Sequence, residues 1–79
     1  MEDVQVALKI DTKGLSCPLP IIRAKKGIES IAIGEVMEVL ATDPGSVSDF
    51  KAWSRATGHE LLQAEQIDSV YVYRIRRSK

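Results

Sequence analysis

Two prolines set two residues apart constrain this chain more than any other feature. Pro18 and Pro20 flank Leu19 in the stretch Gly14-Leu15-Ser16-Cys17-Pro18-Leu19-Pro20. A helix tolerates proline in its first turn, where the missing N–H has no intrahelical partner. Upstream, Val4, Val6, Leu8 and Ile10 alternate with Gln5, Ala7 and Lys9, the period of a half-buried strand over residues 4–11. Downstream, Ile21, Ala24, Ile28 and Ile31 recur at helical spacing, with Arg23, Lys25, Lys26 and Glu29 on the other face. The prolines therefore fix a strand–loop–helix junction. They predict a helix over Pro18–Ile31, with Pro18 as its first residue and Cys17 as its N-cap. Gly27 interrupts that helix at a cost of about 1 kcal/mol relative to alanine, and its small size lets the helix lie close to a sheet.

The remaining punctuation is equally regular. Gly34 turns the chain into a strand over Glu35–Thr42, and Asp43-Pro44-Gly45-Ser46 breaks it. A second helix is predicted from Val47 to Thr57, with Val47, Phe50 and Trp53 as its apolar stripe and Ser46 or Asp43 as its cap. Gly58 stands where a left-handed terminating residue belongs. Strands over His59–Glu65 and Ser69–Arg76 follow, with the turn at Gln66–Asp68. The order β-α-β-α-β-β predicts an α/β (α+β) two-layer sandwich: a mixed four-stranded sheet with both helices packed on one face. At 79 residues the chain is read as one domain, 1–79.

Composition closes off several function classes. Eleven basic residues balance 11 acidic ones, so direct nucleic-acid binding is not the expected task. The balance hides a split. Residues 1–45 carry five basic and seven acidic side chains, and residues 46–79 carry six basic and four acidic. Arg74, Arg76, Arg77 and Lys79 cluster at one end. They read either as the solubilising end of an edge strand or as a docking patch for an acidic partner or RNA.

One cysteine and one histidine exclude an intrachain disulfide and a Cys/His zinc site. No metal or cofactor is expected. No run approaches 18 apolar residues, so no membrane association is expected. Glu2 and Asp3 stand where a signal peptide would carry positive charge, which points to the cytoplasm, where a lone thiol stays reduced.

As an N-cap, Cys17 would face the Leu19 amide and the positive end of the helix dipole. Both favour a thiolate, so a lowered thiol pKa is expected. Acyl transfer would need a base, and the sequence offers only His59, which reads as a structural strand residue. Thioredoxin-like exchange needs a second cysteine. A phosphate-binding glycine loop is missing. A thiol without base, resolving partner or cofactor suits the carriage of a group from one protein to another.

These residues carry a resemblance. Asp11-Thr12-Lys13-Gly14-Leu15-Ser16-Cys17-Pro18-Leu19-Pro20, then Lys25-Lys26, Ala41-Thr42-Asp43-Pro44-Gly45-Ser46 and Trp53…Gly58-His59-Glu60-Leu61 resemble the TusA/SirA-like family of small sulfur carriers. The likeness runs from about Ile10 to Ile75. It implies the two-layer sandwich already predicted. It also implies that Cys17 accepts sulfane sulfur as a persulfide from a cysteine desulfurase or rhodanese-type donor. The sulfur would then pass to an acceptor protein in tRNA thiolation, molybdenum-cofactor assembly or sulfur oxidation. Such a protein is a persulfide carrier rather than a stand-alone turnover enzyme. Some relatives carry a second cysteine just after the tryptophan; here that position is Ser54.

Gly14, Pro18, Leu19 and Pro20 are then the positioning residues of the motif. Lys13, Arg23, Lys26 and Asp43 are candidate partner contacts, with solvated charge or helix capping as their plainer reading. A monomer is expected, since the thiol must serve two partners. The competing readings are a regulatory or RNA-binding interaction module and a redox or selenium-handling thiol protein.

Overall fold

Parallel and antiparallel pairing meet in one sheet in the computed structural model, which describes residues 5–79. The predicted strand residue Val4 lies outside the described residues. The elements are β1 (Val6–Thr12), α1 (Leu19–Ile28), β2 (Val36–Ala41), α2 (Ser46–Thr57), β3 (Glu60–Ile67) and β4 (Val70–Arg76). The sheet order is β1-β2-β4-β3. β1 runs parallel to β2, whereas β2–β4 and β3–β4 are antiparallel. The predicted element order and the α+β sandwich are both present.

Alternation explains the single covered face. Leu8 and Ile10 on β1, Met37, Val39 and Ala41 on β2, and Tyr73 and Ile75 on β4 join one apolar cluster. Ile21, Ala24 and Ile28 from α1 and Phe50 and Trp53 from α2 complete it. Because both helices contribute to one cluster, they cover the same side of the sheet. Gly27 makes this approach possible. A Cβ there would lie 3.2 Å from Leu8 Cδ2 and from Met37 Sδ, and closer still to Ile10 Cδ1.

Aromatic rings tie α2 to the sheet. Phe50 stacks on Tyr73 at 4.3 Å between centroids and meets Trp53 edge-on at 6.1 Å. Ser46 Oγ donates to the Asp43 carbonyl at 2.7 Å, so the buried Tyr73 hydroxyl donates to Ser46 Oγ, also at 2.7 Å. Burial pushes the Tyr73 phenol up from its ordinary pKa.

Several boundaries differ from the sequence reading. α1 ends at Ile28, not Ile31, because the Ser30 amide and hydroxyl both donate to the Gly27 carbonyl. Ile31 is still buried in the core. β3 runs on to Ile67, and the turn falls at Asp68–Ser69 with Asp68 at φ 57°, a left-handed conformation that aspartate tolerates. Neither Ser46 nor Asp43 caps α2; the N-cap is Gly45, with no side-chain hydrogen bond. Gly58 terminates α2 at φ 83° as predicted.

The largest difference concerns β4, which lies inside the sheet between β2 and β3. Its basic end is not an edge, and its three arginines are engaged, while Lys79 has no ion-pair partner among the described residues. Arg74 Nε pairs with Glu38 at 3.0 Å, and Arg76 Nη1 pairs with Glu60 at 3.2 Å. Arg77 donates to the carbonyls of Glu29 and Ile31, clamping the chain after β4 onto the end of α1.

His59 is buried, and its Nδ1 accepts the Ser78 N–H at 3.0 Å. Burial holds its pKa below the ordinary 6.5, helped by the charges of Arg77 and Lys79.

Two outcomes follow from this packing. Phe50→Ala removes the ring that joins α2 to β4. It should cost about 3–5 kcal/mol of a total near 4–12 kcal/mol for a chain this long, read as a lowered urea midpoint. His59 should titrate below 6.5 by NMR. A folded-state pKa below the unfolded one means that the unfolded chain binds the extra proton first. The His59 contribution is therefore whole above the ordinary imidazole value and is lost as pH falls through the lower, folded value. His59→Asn keeps an acceptor for Ser78 and should remove that part of the acid sensitivity.

Candidate functional site

The loops after β1 and β2 leave the sheet at the same end, because these strands are parallel neighbours. The first carries Gly14 and Cys17; the second carries Asp43 and Gly45. They are laced together directly. Thr12 Oγ1 donates to the Leu40 carbonyl. The Gly14 N–H donates to Thr42 Oγ1 at 3.0 Å, and Gly14 sits at φ 86° with open space around it. The left-handed turn at Gly14 thus starts the loop that presents the cysteine.

The prolines do start α1, one residue later than predicted. The Pro18 carbonyl accepts the Ile22 N–H at 3.1 Å, which makes Pro18 the N-cap and puts Pro20 at the second helical position. The Cys17–Pro18 peptide bond is cis. Pro20 is buried against the core, whereas Cys17, Pro18 and Leu19 are exposed. Cys17 is therefore not the N-cap. The Leu19 amide is also withheld from the sulfur, because it donates to the Ser16 carbonyl at 2.9 Å.

The sulfur has a different partner. Cys17 Sγ donates to Asp49 Oδ2 at 2.8 Å. Asp49 stands in the first turn of α2, 32 residues along the chain. The hydrogen bond to Asp49, a degree of desolvation and the negative charges of Asp49 and Asp43 push the thiol pKa up. The expected lowering is thus reversed. The helix-start field favours an anion, but a carboxylate already occupies that position and repels a second one.

Gly45 completes the contact. A Cβ there would lie 3.5 Å from Cys17 Cβ, 3.8 Å from Cys17 Sγ and 2.9 Å from Asp43 Oδ2. Gly45 thus puts no side chain of its own between the thiol loop and Asp43. Asp43 Oδ2 is buried and has no hydrogen-bond partner among the described residues.

Beside the thiol a cleft of about 350 Å³ runs between the helices, lined by Cys17, Pro18, Ile21, Lys25, Asp49, Ala52, Trp53 and Ala56. Of the candidate partner contacts, only Asp43 is brought to the sulfur. Lys13, Arg23 and Lys26 are exposed and do not line this cleft. Lys13 pairs with Asp11 at 3.9 Å. Lys25 takes the place expected of Lys26. Asp49 and Gly45 were missed. The signal for both lay in their position at the start of the second helix, which a parallel β-α-β unit brings beside the start of the first.

His59 does not line the thiol cleft and is held by Ser78, as its structural reading expects. No group of three or more His, Cys, Asp or Glu side chains suited to a metal is present among the described residues. No helix among them is long and apolar enough to cross a membrane. The arrangement can keep an exposed thiol protonated against a carboxylate, at the mouth of a cleft with apolar walls and one lysine.

Comparison with known proteins agrees with this geometry. Residues 8–77 match the family described as sulfurtransferase TusA. The chain is 44% identical over 70 residues to the sulfur carrier protein TusA of Allochromatium vinosum, covering 89% of this chain and 92% of that protein. It is also 44% identical over 78 residues to a Halobacterium salinarum protein whose name proposes sulfur carriage, covering 98% and 96% of the two chains. The crystal structure of a SirA-like protein from Desulfitobacterium hafniense superposes with a TM-score of 0.78 at 27% identity, over 91% of this chain and 99% of that one. The fold, the thiol-bearing loop and these relatives together place the chain in the TusA family of sulfur carrier proteins.

Proposed function

We propose that the protein carries sulfane sulfur as a persulfide on Cys17, taking it from a donor protein and delivering it to an acceptor protein. The observation that supports this most is the exposed Cys17 thiol held at 2.8 Å on the Asp49 carboxylate, at the open end of an inter-helical cleft. A cysteine desulfurase or a rhodanese-type protein fits as donor, since both present sulfur on a cysteine. Thiolation of tRNA, molybdenum-cofactor assembly and sulfur oxidation are the acceptor pathways for such a carrier.

In loading, Cys17 Sγ attacks the terminal sulfur of the donor persulfide. The new S–S bond forms as the donor S–S bond breaks, and the donor leaves as a thiolate. The Cys17 proton, held on the sulfur and hydrogen-bonded to the Asp49 carboxylate, passes by way of that carboxylate to the departing thiolate. Each side keeps its electron count, so no oxidant or cofactor enters.

Asp49 then has two roles. In the empty carrier it keeps the sulfur protonated, which quiets an exposed thiol towards oxidants and stray electrophiles. In the loaded carrier the inner sulfur has no proton to donate. The hydrogen bond is lost, and the persulfide anion faces the charges of Asp49 and Asp43. That repulsion favours release to the acceptor. Gly14, Pro18, Leu19 and Pro20 act by holding the loop. Lys25 is the one cation that lines the thiol cleft.

Incubation with a cysteine desulfurase and cysteine should add about 32 Da, the mass of one sulfur atom, to the protein. Reductant should remove it, and Cys17→Ala should not acquire it. A clean spectrum with desulfurase and rhodanese-type donors alike would refute persulfide carriage.

A second measurement isolates Asp49. Asp49→Asn removes the negative charge that raises the thiol pKa and leaves only a weaker, neutral amide acceptor for the thiol. The rate of iodoacetamide alkylation against pH should shift to lower pH, so the variant reacts faster than wild type at neutral pH. An unchanged profile would remove Asp49 from the reading while leaving Cys17 in place.

A further inference from the structure

A second concavity opens at the other ends of the same two helices. It measures about 640 Å³, within the range of small-molecule sites. Its walls come from the last turns of α1 and α2, from His59 and from the segment after β4. The Gly58-His59 pair singled out in the sequence leads into it, and sulfur chemistry at Cys17 does not use it.

Its charge is one-sided. Lys25, Arg77 and Lys79 line it against the single acid Glu29. Among the described residues, neither Lys25 nor Lys79 has a carboxylate within ion-pair distance. Arg77 is already committed, since it donates to the carbonyls of Glu29, Ile31 and Lys79. The bond to the Glu29 carbonyl caps the end of α1 with a cation. The Lys79 ammonium lies over Gly58, 3.6 Å from where a Cβ would stand.

His59 adds a directed donor. Its Nδ1 accepts from the Ser78 N–H, so the proton of the neutral ring sits on Nε2. Nε2 has no partner among the described residues. The rest of the wall is apolar, supplied by Ile28, Ala56 and Trp53. Two unpaired ammoniums and an imidazole N–H beside an apolar wall are complementary to one class of molecule.

We propose that this pocket binds a small organic oxyanion, a carboxylate or phosphate monoester carried on an apolar body. The head meets Lys25, Lys79 and His59 Nε2, and the body lies against Ile28, Ala56 and Trp53. Lys25, Trp53 and Ala56 also border the thiol cleft, so an occupant touches its wall without covering Cys17.

Trp53 is the sole tryptophan of the chain, so its fluorescence reports occupancy of the full-length protein. Phenyl phosphate and benzoate serve as probes, with inorganic phosphate and phenol as controls. A saturable change with either probe is expected, at least fivefold tighter than with either control. It should persist in Cys17→Ala. The double variant Lys25→Gln/Lys79→Gln, checked for native circular dichroism, should weaken it at least fivefold. Binding of phenyl phosphate alone supports the pocket and narrows the head to phosphate; binding of benzoate alone narrows it to carboxylate.

A second readout follows the His59 ring by NMR. Arg77, Lys79, Lys25 and Glu29 are the charged groups facing it. Burial depresses its titration most, and Arg77 and Lys79 add to this; a bound anion offsets those two cations and its head accepts from Nε2, so saturating phenyl phosphate should move that titration to higher pH. No saturable change with either probe, equal binding of phenol or inorganic phosphate, or undiminished binding by the double variant would overturn the proposal. None of these results depends on whether Cys17 carries sulfur.

Discussion

The parallel pairing of β1 with β2 is the constraint on which the rest depends. Parallel neighbours must be joined by a crossover, and α1 supplies it. The crossover forces both strands to release their following loops at one end of the sheet. That pairing brings Cys17 and Asp49, 32 residues apart, to one end of the sheet. The antiparallel partner β4 then completes the face that α2 covers, and the Phe50–Tyr73 stack fixes α2 against it. The position of the carboxylate at the sulfur is therefore set from the core outward. A tilt of α2 on the sheet would move Asp49 before it disturbed any residue of the cysteine loop.

Glu38 shows the same logic on the opposite face. It is buried on β2, in register with Lys9 on β1 and Arg74 on β4, and reaches both, at 4.0 Å and 3.0 Å. An anion in the middle of a half-covered sheet is costly unless paired. The cross-strand cations supply that pairing, which also discourages a register slip between the three strands. The arginines of β4 are accordingly structural charges. Of the basic terminus, Arg74 and Arg76 are ion-paired and Arg77 clamps the end of α1, which leaves Lys79 unpaired among the described residues.

Much of the fold was legible because its periods are clean. The alternation of Leu8 and Ile10, the stripe of Ile21, Ala24 and Ile28, and Gly58 at the end of α2 each specify one local structure. Sheet order was less legible. β4 reads as an edge strand because its arginines follow one another, and only the strand pairing shows it to be central. At the site, the lone cysteine and the two prolines pointed to the loop that exposes the thiol. The state of the sulfur was not legible. It depends on Asp49, which in the sequence is one acid among others on a polar helix face, and on the Leu19 amide, which Ser16 takes. Local reasoning about a helix start gives the sign of the field but not which anion fills it.

The first turns of helices attract negative groups, and in α2 the group is Asp49 itself. The carboxylate stabilises α2 at the same place where it suppresses the thiolate of Cys17. One charge thus couples helix stability to thiol chemistry, so the site cannot be made more reactive by deleting the acid without loosening the helix that positions it. The opposite ends of the helices follow the complementary rule, with Lys25 and Lys26 in the last turn of α1 and Arg55 in that of α2. A chain of zero net charge is in this way polarised along its helices, acidic where the sulfur is exposed and basic at the far end. The persulfide anion proposed for Cys17 would consequently stand where the protein's own charge opposes it. For a carrier this is the favourable arrangement, because cargo that is held too well is not passed on.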